Sequence, residues 1–194
     1  YSGSLGKGWT HNWNMLLFSN PDGSIGLKQG DGRVVYFRLN QGVYYPEAGS
    51  GVTSYITYTS DTYTLIEKNG TIYTFNAATG RLTSVKDRSG NTTILSYTGA
   101  NLTSITDPSG RTIYLTYDSS NRITSITDTG NNIYTFTYSN NMLIGISAMS
   151  YQPSAISYQY SYDSNGQMLT KTDPQGYVTT YAYDTDGKVI SSID

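Results

Sequence analysis

The sequence predicts an all-β protein, a continuous curled or spiral antiparallel sheet made of repeated β-hairpins. Three observations carry that reading. Tyr occurs 20 times in 194 residues, and the Thr, Val and Ile that alternate with it fit a pleated, half-buried surface. No segment spaces its apolar residues three and four apart, as an amphipathic helix requires. Turn chemistry returns about every 20 residues from Gly80 onward, and a fixed period is the mark of a repeat architecture.

The chain opens at Tyr1 with no initiator Met, as a piece of a longer protein would. Gly6-Lys7-Gly8-Trp9-Thr10-His11-Asn12-Trp13 places two Trp and the sole His within five residues. Asp22-Gly23, Asp31-Gly32, Asn40 to Gly42 and Asn69-Gly70 are turn signals, because Asn-Gly and Asp-Gly supply the φ > 0 that tight hairpins need. Between them the runs Val34 to Leu39, Ser54 to Thr59, Tyr63 to Glu67 and Thr71 to Phe75 read as strands. Pro46 to Gly51 reads as a loop. Residues 1–79 are thus leader hairpins, and residues 80–194 hold five repeats and part of a sixth, continuous with the leader.

The repeat begins with an aliphatic residue, passes an Asp-x-x-Gly turn and ends in an alternating strand closed by Tyr. Copy one runs Leu82, Asp87, Gly90, Tyr97; copy two runs Leu102, Asp107, Gly110, Tyr117. Copy three has Ile123, Asp128, Gly130 and Tyr138. Copy four is degenerate, with Leu143, Ala148 in place of Asp, and Tyr162 after about four extra residues around Gln152-Pro153-Ser154. Copy five recovers as Met168, Asp173, Gly176 and Tyr183, and Val189 opens a sixth. Pro after Asp107 and Asp173 presets φ for a turn, and Gly takes its φ > 0 position. A second set of turn-prone segments sits between copies, at Asp118, Asp163 and Asp184. In the strand after Asp107, Ile113, Leu115 and Tyr117 fall on one face and Thr112, Tyr114 and Thr116 on the other. Stacked copies would bring Tyr97, Tyr117, Tyr138, Tyr162 and Tyr183 into an aromatic ladder, with cross-strand pairs worth roughly 0.2–1 kcal/mol each.

Composition removes most chemistry. Zero Cys and one His exclude disulfides, thiolate metal sites, a Cys nucleophile and any multi-His centre. A net charge of −2 gives no basic footprint for nucleic acid, and no apolar run has the length of a membrane span. His11 lacks a nucleophile-elbow partner and reads as a packing residue beside Trp9 and Trp13. Asp107 and Asp173 recur at the repeat period, which is how turns behave and not how a catalytic carboxylate pair behaves. Asp184-Thr185-Asp186-Gly187 starts like a calcium loop but lacks its later ligands. Gly3 to Gly8 lacks the Gly-Lys-Ser/Thr of a phosphate loop. The expectation is therefore no enzyme, no cofactor and no metal. Asn69, Asn91 and Asn101 each begin a glycosylation triplet, relevant only in a secretory pathway that glycosylates.

The pairs Tyr117-Asp118, Tyr162-Asp163 and Tyr183-Asp184, each after Asp-x-x-Gly or its degenerate form, resemble the YD repeats of Rhs proteins. The leader is similar too, from Gly8, Trp9, His11 and Trp13 through Asp31-Gly32-Arg33 to Gly70-Thr71-Ile72-Tyr73-Thr74-Phe75. The resemblance covers essentially the whole chain. It implies a β-shell of the kind found in Rhs proteins, toxin-complex subunits and teneurins. It also implies a secreted or cell-surface parent protein whose shell encloses and helps deliver a C-terminal toxin domain. The expected partners are then the remainder of that shell, the enclosed toxin, and other copies through an open sheet edge. The rival is an extracellular glycan-binding or adhesin module using the Tyr- and Trp-rich faces; strict periodicity favours the scaffold, since one ligand does not need residues every 20 positions.

Overall fold

The computed structural model describes residues 2–149 and 156–194; Gln152-Pro153-Ser154 lie outside the described residues. Among those described there are twenty strands and no helix. They are β1 (Ser2–Gly3), β2 (Gly6–Lys7), β3 (Leu16–Ser19), β4 (Ile25–Lys28), β5 (Val34–Asn40), β6 (Val43–Pro46), β7 (Tyr55–Tyr58), β8 (Thr62–Ile66), β9 (Ile72–Asn76) and β10 (Leu82–Lys86). The second half holds β11 (Thr92–Thr98), β12 (Asn101–Thr106), β13 (Thr112–Tyr117), β14 (Ile123–Thr127), β15 (Ile133–Ser139), β16 (Met142–Met149), β17 (Ile156–Tyr162), β18 (Met168–Thr172), β19 (Val178–Tyr183) and β20 (Val189–Ile193). The all-β class and the antiparallel hairpin build expected from the sequence are both present. Two compact units divide the chain: Thr10–Thr112, and the residues up to Trp9 together with Ile113–Asp194.

In the Thr10–Thr112 unit, each strand from β3 to β12 pairs antiparallel with the next. Alternation sends one or two large residues of every strand but β6 to a common side. Leu17, Ile25, Leu27, Phe37, Ile56, Leu65, Phe75, Leu82, Leu95, Leu102 and Ile105 are buried there. On β5 the two-residue period is plain, with buried Phe37 between exposed Tyr36 and Arg38. Accumulated strand twist coils this sheet back on itself. Leu16 forms a bridge with Arg81, and the Leu17 N–H donates to the Gly80 carbonyl at 2.8 Å. The start of β3 thereby meets the turn before β10, and the coil surrounds a core that an open ribbon would lack.

In the second unit β13 to β20 pair in succession, again antiparallel. Burial is thinner here. Leu115, Ile123, Leu143 and Ala148 are buried, while every residue of β20 is exposed. The leader runs across the hairpin ends of this unit. β1 pairs with β2, the Ser4 carbonyl accepts from the Ile123 N–H, and the Lys7 N–H donates to the Asn141 carbonyl, both at 2.7 Å.

Candidate functional site

The chemistry concentrates at the hairpin turns. At Asp87 the backbone N–H donates to the Asn91 carbonyl, and the Gly90 N–H donates back to the Asp87 carbonyl. Gly90 has φ of 92°, which makes this a three-residue hairpin loop ending in a left-handed bulge residue. One carboxylate oxygen of Asp87 then accepts from the N–H groups of Ser89 and Asn91, at 2.8 and 2.9 Å. The other accepts from the Asn91 side-chain amide at 2.8 Å. Asp satisfies two loop donors that a hairpin of this length otherwise leaves to water.

The same turn is built at Asp107, Asp128 and Asp173, and also at Asp118, Asp163 and Asp184 of the Tyr-Asp pairs. In copies two and five the same turn therefore closes both ends, at Asp107 and Asp118 and at Asp173 and Asp184; after Tyr97 and Tyr138 the chain turns without Asp, through Gly99 and through Asn140-Asn141. The left-handed residue is Gly110, Gly166, Gly176 or Gly187, but Asn121 in the Asp118 turn and Asn131 in the Asp128 turn. Gly130, the residue aligned by sequence with the turn glycines, is thus not the left-handed one; Asn131 follows it and tolerates that conformation best after Gly. Hydrogen bonding from Asn91 holds the Asp87 carboxyl below its ordinary pKa, and Asn132 does the same for Asp128. One Asp184 carboxylate oxygen accepts from the Asp186 and Lys188 N–H groups of its own turn. Among the described residues no cluster of three or more His, Asp or Glu could hold a metal ion.

Each repeat tyrosine sits immediately after a register shift, at Ser96/Tyr97, Thr116/Tyr117, Thr137/Tyr138, Ser161/Tyr162 and Ala182/Tyr183. The bulge turns the side chain back over the preceding strand. The Tyr97 hydroxyl donates to the Leu82 carbonyl at 2.9 Å, Tyr138 to Ile123 at 2.7 Å, Tyr162 to Leu143 at 2.7 Å and Tyr183 to Met168 at 2.8 Å. Opposite Tyr97, Tyr138, Tyr162 and Tyr183 stand Leu102, Leu143, Met168 and Val189, the opening residues of the next copies. Burial pushes the Tyr97 and Tyr138 phenols up to about 12.

These contacts correct the expected aromatic ladder. Equivalent tyrosines lie two strands apart, about 9–10 Å, whereas ring pairs need centroids within roughly 4.5–7 Å. The intervening strand contributes an aliphatic residue instead. Tyr97, Tyr138, Tyr162 and Tyr183 work as clasps through their hydroxyls, and the aliphatic line beneath them supplies the buried apolar surface.

Two features escaped sequence reading. Arg81 lies over the Tyr97 ring at 5.7 Å and Arg122 over the Tyr138 ring at 4.7 Å, cation–π contacts. Arg122 also pairs with Asp118 at 2.7 Å, joining the turn to the clasp. Both Arg directly precede an aligned aliphatic residue, which was the available signal. The second is the docking of the leader. The Trp9 indole N–H donates to the Tyr162 hydroxyl at 2.8 Å, and the Trp9 ring meets Tyr160 edge-on at 4.9 Å. Lys7 adds a bond from its ammonium to the Asn165 carbonyl at 2.9 Å. Gly8, next to Trp9, takes φ of 81°.

His11 and Trp13 belong to the other unit, Thr10–Thr112, so Trp9 and His11 serve different packing groups. Burial, assisted by the Lys28 charge, lowers the His11 pKa from 6.5 to about 4. A histidine with a depressed folded pKa favours the folded state above its unfolded value and loses that contribution as pH falls through the folded one. The loss therefore runs from pH 6.5 down to 4 and amounts to roughly 3 kcal/mol. The turn carboxylates, depressed in the folded state, act in a lower window, below their ordinary pKa of about 4. Thermal melts should show a steep fall in stability between pH 6.5 and 4 that His11→Gln flattens; an unchanged profile in that variant would contradict the assignment.

One turn, one bulge and one tyrosine clasp, repeated along an antiparallel sheet, define a structural repeat scaffold. The chain belongs to the teneurin YD-shell family, whose profile matches residues 33–194. No curated protein matches it. Among solved structures it is similar to TcdB2-TccC3 without the hypervariable C-terminal region, at 16% identity and a TM-score of 0.51, over 87% of this chain and 11% of that one. It is also similar to the Tc holotoxin pore of Photorhabdus luminescens, at 18% identity and a TM-score of 0.46, over 91% of this chain and 12% of that one. The chain thus spans only about a tenth of those chains, and at such identities the first of these likenesses is one of fold.

Proposed function

We propose that this chain is a wall section of a β-shell that encloses a C-terminal toxin domain of its parent protein and helps deliver it. The observation that carries this reading is the use made of the repeated residues. Seven turn aspartates bind their own backbone, at Asp87, Asp107, Asp118, Asp128, Asp163, Asp173 and Asp184, and four repeat tyrosines bind neighbouring carbonyls. Their polar groups hold the wall together and leave little for a substrate, so the reading is of a non-enzymatic scaffold without cofactor or metal. Residues 1–79 lead into the repeats of 80–194 as one wall, and the parent is secreted or displayed at a cell surface. Limited proteolysis of the parent tests the idea. The toxin domain should resist digestion in the intact protein and become sensitive when a wall core residue such as Leu143 is cut to Ala. A domain digested equally in both would refute enclosure.

The remainder of the shell and further copies of this chain are the partners this reading names. β20 pairs with β19, and Val189, Ile190 and Ile193 on it are exposed. A sheet edge with apolar side chains templates pairing with another strand. Light scattering should show the isolated chain associating as concentration rises, and Ile190→Lys should suppress it. A strictly monomeric chain at high concentration would remove the edge from the account.

A further inference from the structure

We propose that the face of the Thr10–Thr112 unit opposite its core carries a binding site for neutral saccharides, centred on Tyr36 and Arg38. This goes beyond the shell reading, because a wall does not need the site. A cavity of about 430 Å³ is lined by Asn20, Asp22, Ser24, Tyr36, Arg38 and Glu47, a size within the usual range of small-ligand sites.

The polar half is preformed. The turn before β4 closes through the Asn20 N–H to Ser24 carbonyl bond at 2.9 Å. The Asn20 amide donates to the Ser24 hydroxyl, also at 2.9 Å, and that hydroxyl donates to Asp22 at 2.6 Å. Arg38 spans the cavity, bonding Asp22 at 3.3 Å and Glu47 at 2.8 Å. The Ser24 hydroxyl, more than the Arg38 charge, holds the Asp22 carboxyl below its ordinary pKa. Guanidinium and carboxylate groups fixed side by side offer planar, two-point bonding, the geometry that adjacent sugar hydroxyls present.

The apolar half is a braced ring. Tyr36 is 42% exposed, and the Phe18 ring meets it edge-on at 6.5 Å and 89°. Phe18 in turn lies over Gly26, where an added Cβ would sit 2.3 Å from its ring; a side chain there would unseat both aromatics. Beyond Arg38, Tyr45 stands opposite it in register, and the Tyr45 and Tyr55 rings lie 6.3 Å apart. The face therefore continues as an aromatic strip long enough for a second sugar. An exposed, braced ring beside paired hydroxyl binders fits a pyranose, whose C–H face packs on the ring while its edge hydroxyls reach Arg38 and Glu47. Two carboxylates against one guanidinium leave the cavity net negative, which disfavours sulfated or acidic sugars.

Nuclear magnetic resonance titration of the full chain decides the matter, with chitotriose, cellotriose and lactose as neutral probes and choline and sulfate as charged ones. A neutral probe should shift Tyr36, Arg38 and Glu47. Tyr36→Ala and Tyr36→Leu should each weaken it about tenfold, the second with the melting temperature retained, and Tyr114→Ala should leave it unchanged. No response to any neutral probe, a response to choline or sulfate alone, or wild-type binding by Tyr36→Leu would overturn the proposal.

Discussion

Gly80→Ala should unfold or severely loosen the Thr10–Thr112 unit, with a loss on the order of 3–5 kcal/mol and a melting temperature lower by about 10 °C or more. Gly80 has φ of 67°, and an added Cβ would stand 1.9 Å from the Leu17 carbonyl oxygen. The left-handed conformation alone costs a non-glycine residue roughly 1–2 kcal/mol. The larger part comes from the collision, because the atom met is backbone and cannot rotate away. Relief would require parting β3 from the Gly80 turn. That breaks the Leu17 to Gly80 hydrogen bond and opens the coil around Phe37, Phe75 and Leu82, all fully buried. Gly110→Ala is the internal control: its φ is 83°, yet an added Cβ meets nothing within 4 Å. It should cost only the conformational part, and amide exchange at Leu17 should accelerate in Gly80→Ala alone. Equal losses in the two variants would mean that the contact carries no weight.

The parts of this molecule that sequence made legible are the local ones. Turns depend on residues three and four apart, so Asp-x-x-Gly announced itself at Asp87, Asp107 and Asp173. Strand faces depend on a period of two, so buried Leu115 between exposed Tyr114 and Thr116 was readable in advance. What stayed hidden depends on which strands become neighbours and by how much they slip. The role of Tyr97 follows from a bulge at Ser96/Tyr97, and one shifted residue decides whether the ring faces another ring or a carbonyl. The docking of Trp9 on Tyr162 joins residues 153 positions apart, beyond any local pattern. Copy four has lost its turn Asp, yet its strands carry Leu143 and Tyr162, and they receive the leader through Lys7 and Trp9. Its degeneracy by sequence coincides with an added partner in space.

Leu143→Ala should be the most costly single change in the second unit, at about 2–5 kcal/mol. Leu143 is fully buried, stands opposite Tyr138, and offers the carbonyl that Tyr162 binds. Removing its side chain leaves a void beneath a clasp whose backbone acceptor stays in place. Tyr183→Phe isolates the other contribution. It retains the ring and deletes only the hydroxyl bond to the Met168 carbonyl, which should cost about 0.5–1.5 kcal/mol. A scaffold held by stacked rings would give a different ranking, with Tyr183→Phe neutral and Tyr183→Leu costly. Tyr162→Phe should lose more than Tyr183→Phe, because it also strands the Trp9 indole N–H. A double-mutant cycle with Trp9→Phe should then show coupling within the 0.5–3 kcal/mol typical of residues in contact. Chemical denaturation of this set ranks the contributions directly. If Tyr183→Phe proved neutral while Leu143→Ala cost less than about 1 kcal/mol, the tyrosine rings and not the aliphatic line would be the glue of the wall.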